Sequence, residues 1–241
     1  MKTFGLLGKN ISYSFSRGYF TKKFETLKLT DYEYVNFDLP SIELLPTILN
    51  DNVLGFNVTI PYKEAVMEFL DAVSDEAREI GAVNTVKVEN GRLIGFNTDY
   101  VGFEESLKPL LKPHHKKALI LGTGGASKAI KYVLERLKIQ YRVVSRNPSK
   151  GQFSYNDITK KIIEEHTIII NCTPLGTFPN IDNSPDIPYK YLNNNHLLYD
   201  LIYNPAKTTF LAEGERKGAT IFNGQKMLEL QAEKAWEIWN S

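Results

Sequence analysis

An α/β fold built in two parts is predicted by three features of the sequence. Short β-rich runs alternate with amphipathic segments along the whole chain, the pattern of a protein with a parallel sheet. A glycine turn, Gly122-Thr123-Gly124-Gly125-Ala126, joins an apolar run to a helical one. A polar stretch, KPHHKK, interrupts the pattern near the middle. At 241 residues the chain exceeds one average domain and falls short of two, so one large or two small domains fit it.

In the first part, strands are predicted over residues 3–8, 32–38 and 53–59, and helices over 16–27 and 42–50. The runs GAVNTVKVE and RLIGFN flank Asn90-Gly91, a two-residue turn suited to a hairpin. Residues 99–111 read as a helix that ends near Pro113. In the second part, residues 118–122 (ALILG) form a buried strand, 128–137 a helix and 141–145 a strand. Residues 167–172 (TIIINC) and 197–202 (LLYDLI) are further strands, each followed by a proline-containing loop. The last helix, Gln225–Trp239, places Met227, Leu228, Ala232, Ala235, Trp236 and Trp239 on one face, as packing residues.

The composition is that of an ordinary globular protein, 42% hydrophobic and 24% charged. Lys plus Arg (29) nearly balance Asp plus Glu (28), so no global field draws the protein to nucleic acid or to an anionic membrane. Cys172 is the only cysteine, which excludes an internal disulfide and suits a reducing compartment. The N-terminal apolar run is too short for a signal peptide, and no stretch approaches the roughly 20 apolar residues that span a bilayer. A cytoplasmic location is expected. His114, His115, His166 and His196 show no metal-ligand spacing, so no bound metal is expected. Cys172 reads as a core residue rather than a nucleophile, and Lys112–Lys117 as a solvated linker.

A strand–glycine turn–helix presents bare backbone N–H groups and a positive dipole end to a pyrophosphate. Gly122 permits the tight turn and Gly124 the close approach of a ligand. Ser127 stands where a third glycine is usual, with small residues at Gly125, Ala126 and Ala129. By itself this motif is equally a plain turn. The next strand adds a second signal. NAD-binding proteins carry an acidic residue about 20 positions on, for the ribose 2′-hydroxyl. This chain reads Ser145-Arg146-Asn147-Pro148-Ser149-Lys150 there, and Arg146 and Lys150 are suited to a 2′-phosphate. An exposed basic loop is the alternative; turn and loop together favour NADP.

Asn57-Val58-Thr59-Ile60-Pro61-Tyr62-Lys63 is predicted to end a strand and open a helix, with Thr59 as cap and Pro61 in the first turn. Lys63 then faces the positive end of a helix dipole. It reads either as a solvated surface lysine or as a proton donor and acceptor. Asp99 likewise opens a helix, either as a charge complementing the dipole or as a partner for Lys63. Both leave C-terminal ends of predicted strands, where α/β sheets gather ligands. Such a pair suits proton transfer at a carbinol oxygen while a nicotinamide handles the hydride.

Eight ordered segments carry a family resemblance over essentially the whole chain: Ser14-Phe15-Ser16, NVTIPYK, Gly81-Ala82-Val83-Asn84-Thr85, GFNTD, GTGGASKA, NCTPLG, DLIYNP and NG-x-x-M-L-x-x-Q-A. Together they resemble the shikimate dehydrogenase family. The resemblance implies reversible, NADP-dependent reduction of 3-dehydroshikimate to shikimate, in the pathway to chorismate and aromatic amino acids. It implies Ser14 and Ser16 at the substrate carboxylate with Tyr203 close by, and Thr59, Asn84 and Gln231 at the ring hydroxyls. Lys63 matches the family's acid/base and Asp99 its partner. Gly122, Gly124, Gly125, Ala126, Ser145, Arg146, Lys150 and Thr173 match cofactor-binding positions, and Gly224 and Met227 positions beside the nicotinamide.

The family fold implies a substrate-binding domain over residues 1–102, completed by a C-terminal helix over 223–241, and a Rossmann-like NADP-binding domain over 103–222. The active site is expected in the cleft between them. Small-molecule partners are expected, and a monomer or homodimer. Arg17 stands where the family usually has proline, and Thr177-Phe178 where it has Gly-Met. Two alternatives are a quinate/shikimate dehydrogenase using NAD(P) and a sensor that binds NADP and substrate without turnover. Arg146 argues against NAD, and the presence of both Lys63 and Asp99 argues against the sensor.

Overall fold

The computed structural model describes residues 1–12 and 14–241. The chain forms two compact units, Met1–Asp99 with Gln231–Ser241, and Tyr100–Leu230.

The first unit contains β1 (Lys2–Gly8), α1 (Phe15–Thr26), β2 (Tyr32–Asp38), β3 (Val53–Val58), β4 (Ala72–Val73), α2 (Asp75–Ile80), β5 (Thr85–Glu89) and β6 (Arg92–Phe96). Its six-stranded sheet runs β2-β1-β3-β5-β6-β4. β1 is parallel to β2 and β3, whereas β5 is antiparallel to both β3 and β6. The reversal places the start of β5 at the same sheet edge as the ends of β3 and β6, with Asn57 opposite Thr85 and Thr85 opposite Phe96.

β1 is buried almost throughout because the sheet is covered on both faces. Phe4 and Leu6 pack with Phe20, Phe24, Tyr34, Ala232, Ala235 and Trp239, while Leu7 packs with Phe56, Val58 and Val86 on the other side. Trp239 lies over Phe4 at a ring distance of 4.8 Å and donates its indole N–H to the carbonyl of Val86 at 3.0 Å. A Cβ on Gly55 would fall 2.4 Å from that indole nitrogen, so the strand needs glycine where the ring lies against it.

Two expected helices take another form. Residues Ile42–Ile48 are a 3₁₀ helix containing Pro46, which has no N–H to send to the Ile42 carbonyl. No α-helix opens after β3 either: residues 60–64 form turns, and Ala65–Phe69 is 3₁₀. The carbonyl of Lys63 accepts the amide of Val83 at 2.7 Å, and the amide of Met67 bonds Glu64 instead. Lys63 therefore lies in a turn tied to the segment before β5, and the helix dipole expected to face it is absent.

α3 (Asp99–Leu107) begins at the end of the first unit and continues into the second. The second unit then contains β7 (Lys117–Leu121), α4 (Gly125–Arg136), β8 (Gln140–Val144), α5 (Lys160–Glu165), β9 (Ile168–Asn171), β10 (Leu197–Asp200), α6 (Thr209–Arg216) and β11 (Thr220–Phe222). α7 (Gln225–Trp239) starts here and ends in the first unit. The five strands are parallel, in the order β11-β10-β9-β7-β8. Leu119–Leu121 and Ile168–Ile170 are fully buried, the continuous apolar runs that a doubly covered parallel sheet requires. From β7 the chain goes to one side for β8 and to the other for β9. Their carboxyl ends flank a topological switch point, where sheets of this type bind ligands.

Trp239→Ala is predicted to destabilise the protein by about 3–5 kcal/mol, through the lost ring and its stranded partner carbonyl. Urea denaturation measures it; a loss below about 1 kcal/mol would mean that the aromatic cluster closes without this ring.

Candidate functional site

In the first unit the reversed β5 gathers polar side chains at one sheet edge. The Lys63 ammonium lies 2.6 Å from the Asp99 carboxylate, with 16% and 10% of the two side chains exposed. Asn84, immediately before β5, donates to the other Asp99 oxygen at 2.9 Å and accepts the amide of Thr98 at 2.6 Å. Its Nδ2 also reaches Thr98 Oγ1 at 3.0 Å and Gln231 Oε1 at 3.4 Å. Lys63, Asn84, Asp99 and Gln231, chosen from sequence for a common site, are thus brought into one network.

Ser16 joins through three intermediaries to which the sequence assigned no role, Tyr34, Asn57 and Thr85. It hydrogen-bonds Tyr34, whose hydroxyl donates to Asn57 Oδ1 at 2.8 Å. Asn57 Nδ2 in turn donates to Thr85 Oγ1 at 3.1 Å, and Thr85 meets Thr98 at 3.2 Å. Burial pushes the Tyr34 phenol far above its ordinary range, so it stays protonated and remains a donor. The signals available from sequence were Asn57 inside an apolar strand and the Asn97-Thr98-Asp99 run; for Tyr34 there was none. The Ser14 hydroxyl is buried and has no hydrogen-bond partner among the described residues. Thr59 follows β3 and donates its amide to Leu7 at 2.8 Å.

In the second unit the glycine turn follows β7 at the switch point. Gly122 has φ +101°, and a Cβ there would stand 3.0 Å from Thr173 Cγ2 and 3.2 Å from the Cys172 carbonyl, so glycine is required. Around Gly124, by contrast, a Cβ would meet nothing within 4 Å. Gly124 is the N-cap of α4, with no side-chain cap and no acidic residue in the first turn. The Ser127 amide bonds the Gly124 carbonyl at 2.9 Å, and no side chain caps the amides of Gly125 and Ala126, which suits an anion. Ala126 lies in that turn, and buried Ser127 bonds back to the Gly124 carbonyl at 2.7 Å. β8 pairs with β7 up to Leu121–Val144, so exposed Arg146 and Lys150 and half-buried Ser145 follow directly beside the turn.

A second cluster lies across the switch point. Asp200, fully buried at the end of β10, accepts from Asn171 Nδ2 and the Ile202 amide, both at 3.0 Å, and from Thr208 Oγ1 at 2.6 Å. Desolvation raises this carboxyl to about 6 despite those three donors. Sequence reading passed over Asp200 although it lies in DLIYNP; a carboxylate closing an apolar run was the available signal. Half-buried Tyr203, buried Gly224 and buried Met227 also belong to this unit. The Cys172 thiol is pushed up by desolvation, which removes it as a nucleophile. Among the described residues no group of three or more His, Cys, Asp or Glu is placed to hold a metal. Among them, too, no helix is long and apolar enough to cross a membrane.

A five-stranded parallel sheet with an uncapped glycine turn at its switch point, joined to a mixed sheet bearing a Lys–Asp pair, defines a two-unit α/β protein of the dinucleotide-binding class. Residues 6–86 match the model of the shikimate dehydrogenase substrate binding domain. The chain is 38% identical to shikimate dehydrogenase (NADP(+)) of Clostridium botulinum, over 99% of this chain and 96% of that one. It is 39% identical to the enzyme of the same name from Caldicellulosiruptor saccharolyticus, covering 99% and 92%. Shikimate 5-dehydrogenase from Thermus thermophilus, solved with NADP(H) and shikimate, superposes with a TM-score of 0.87 at 34% identity, covering 99% and 93%. The chain belongs to the shikimate dehydrogenase family.

The raised carboxyl makes a pH-dependent prediction. Between about pH 4 and about pH 6 the native state holds a proton on Asp200 that the unfolded chain has released, so this group's contribution to stability falls as pH rises through that window. Asp200→Asn stays neutral. Its stability relative to wild type is expected to rise by about 3 kcal/mol between about pH 3.5 and about pH 7, read by urea denaturation at the two values. A pH-independent difference would show that the carboxyl is not raised.

Proposed function

We propose that the protein is an NADP-dependent shikimate dehydrogenase that reversibly reduces 3-dehydroshikimate to shikimate. The observation that carries this reading is the Lys63–Asp99 pair at 2.6 Å, held by Asn84 beside Gln231. Residues 1–102 with 223–241 act as the substrate domain and 103–222 as the NADP domain.

The turn fits NADP: Gly124 is open, the first amides of α4 are uncapped, and Arg146 and Lys150 follow the neighbouring strand. Gly122, Gly124, Gly125 and Ala126 hold the pyrophosphate, while Ser145, Arg146 and Lys150 hold the 2′-phosphate. Thr173 also binds the cofactor, and Gly224 and Met227 lie beside the nicotinamide. When bound, NADPH supplies the hydride for the ring ketone.

Lys63 supplies the proton to the ketone oxygen as that atom gains negative charge, and takes it back in the oxidation. Asp99 keeps the ammonium aimed, and Asn84 keeps Asp99 in place. Ser14 and Ser16 grip the substrate carboxylate, which is also the group assigned to Tyr203. The unpartnered hydroxyl of Ser14 supports that role, because an acceptor from the substrate relieves its desolvation cost. Thr59, Asn84 and Gln231 hold the ring hydroxyls. Nearly balanced charge and a single cysteine support a cytoplasmic monomer or homodimer acting on small molecules, without nucleic acid or membrane partners.

The test is kinetic, following nicotinamide absorbance with shikimate and NADP. Lys63→Ala is expected to lower kcat by about 10²–10⁴-fold with little change in the KM for shikimate. Near-normal turnover would remove Lys63 from the mechanism. Arg146→Ala is expected to raise the KM for NADP about tenfold and to leave that for NAD unchanged, since only NADP carries the 2′-phosphate. Equal effects on both cofactors would place Arg146 elsewhere.

A further inference from the structure

We infer that Asp200 is the positioning residue of the cofactor side, setting through one carboxylate the loops that carry Thr173, Tyr203 and Gly224. The inference deepens the dehydrogenase reading and rests on its assignment of those three residues.

The first arm runs through Asn171. Its Nδ2 donates to Asp200 Oδ1 at 3.0 Å, while its Oδ1 accepts both the amide of Thr173, at 3.0 Å, and the Thr173 hydroxyl, at 2.7 Å. A side-chain amide can be turned either way in its site, and only one way works here. Rotated by half a turn, it would set a carbonyl oxygen against the carboxylate and an NH₂ group against two donors of Thr173. Asp200 therefore decides which end of Asn171 faces Thr173. Thr173 in turn lies against Gly122, the first residue of the phosphate turn.

The second arm runs along the backbone. The Ile202 amide donates to the same Asp200 oxygen at 3.0 Å, and the Ile202 carbonyl accepts the amide of Gly224 at 3.0 Å. The approach is close: a Cβ on Gly224 would fall 2.1 Å from the Leu201 carbonyl oxygen. Tyr203 is the next residue along.

The third arm closes the loop. Thr208 gives its one hydroxyl proton to Asp200 Oδ2 at 2.6 Å and accepts the Leu211 amide at 3.3 Å, capping α6. The loop that holds Tyr203 is thus pinned at Ile202 and at Thr208 by the two oxygens of one carboxylate. Two of the three partners of Asp200 bond onward to residues assigned to the cofactor, Asn171 to Thr173 and Ile202 to Gly224.

The experiment compares Asp200→Asn with Asp200→Leu in the full chain, by calorimetric titration with NADP and by steady-state kinetics. Asparagine keeps an acceptor for Asn171 and Ile202 and can donate to Thr208; leucine has similar volume and no polar atom. Asp200→Asn is expected to hold the Kd for NADP within about threefold of wild type, and Asp200→Leu to weaken it about tenfold or more with the circular dichroism spectrum intact. If Asp200→Leu does not fold, Asn171→Ala cuts the Thr173 arm alone and is expected to weaken NADP binding about tenfold, leaving the KM for shikimate unchanged. An unchanged Kd in the folded leucine variant, or in Asn171→Ala where leucine fails to fold, overturns the inference, as does a loss in Asp200→Asn equal to that in leucine. Wild type that binds NADP but does not oxidise shikimate overturns the dehydrogenase reading and leaves the positioning test standing. Wild type that binds no NADP overturns both.

Discussion

The side-chain amide of Asn84 bonds through both its oxygen and its nitrogen, and the geometry of the first unit's site depends on it. Its oxygen takes the amide of Thr98, which holds the β6–α3 junction against the start of β5. Its nitrogen serves Asp99, Thr98 and Gln231. A buried amide with unmet groups is costly, so the arrangement is close to all-or-none. Asn84 and Lys63 bond different oxygens of Asp99, so the carboxylate is held at both ends.

The two units solve the same problem with different groups. At the edge of the mixed sheet a neutral amide holds a carboxylate; at the edge of the parallel sheet a carboxylate holds an amide, Asn171. In both, the supporting residues are saturated with partners. Among the described residues the buried Ser14 hydroxyl has no partner, and α4 has no side-chain cap; the proposed reading assigns both to ligands. Among the described residues Asn36 Oδ1 is also without a partner, and nothing in the structure explains it.

Much of the fold was legible because several elements have strong periodicity or punctuation. β2 and α7 fall where the pattern puts them, and the Asn90-Gly91 hairpin closes as expected, both residues at positive φ. α2, α5 and α6 were missed. They span six to eight residues, too short for a 3.6-residue period to stand out, and only their caps, Ser74, Thr159 and Thr208, mark them. Lys63 is instructive in another way. From sequence it belonged in the first turn of a helix, which is absent, yet its partner is the carboxylate expected from the motifs. What positions Lys63 is a backbone bond to Val83, and no local pattern records a contact of that kind.

Residues close together in the chain, or motifs in a fixed order, were enough to give the class of fold, the glycine turn after β7, the basic loop beyond the next strand and the two members of the Lys–Asp pair. Only folding reveals that Asn84, Asp99 and Gln231 meet, that Ser16 reaches them through Tyr34 and Asn57, and that Asp200 bonds Asn171 and Thr208. The difference is one of range, because a hydrogen bond acts over about 3 Å. Which distant groups come that close depends on strand order and direction, above all on the reversal of β5 and the switch between β7 and β9.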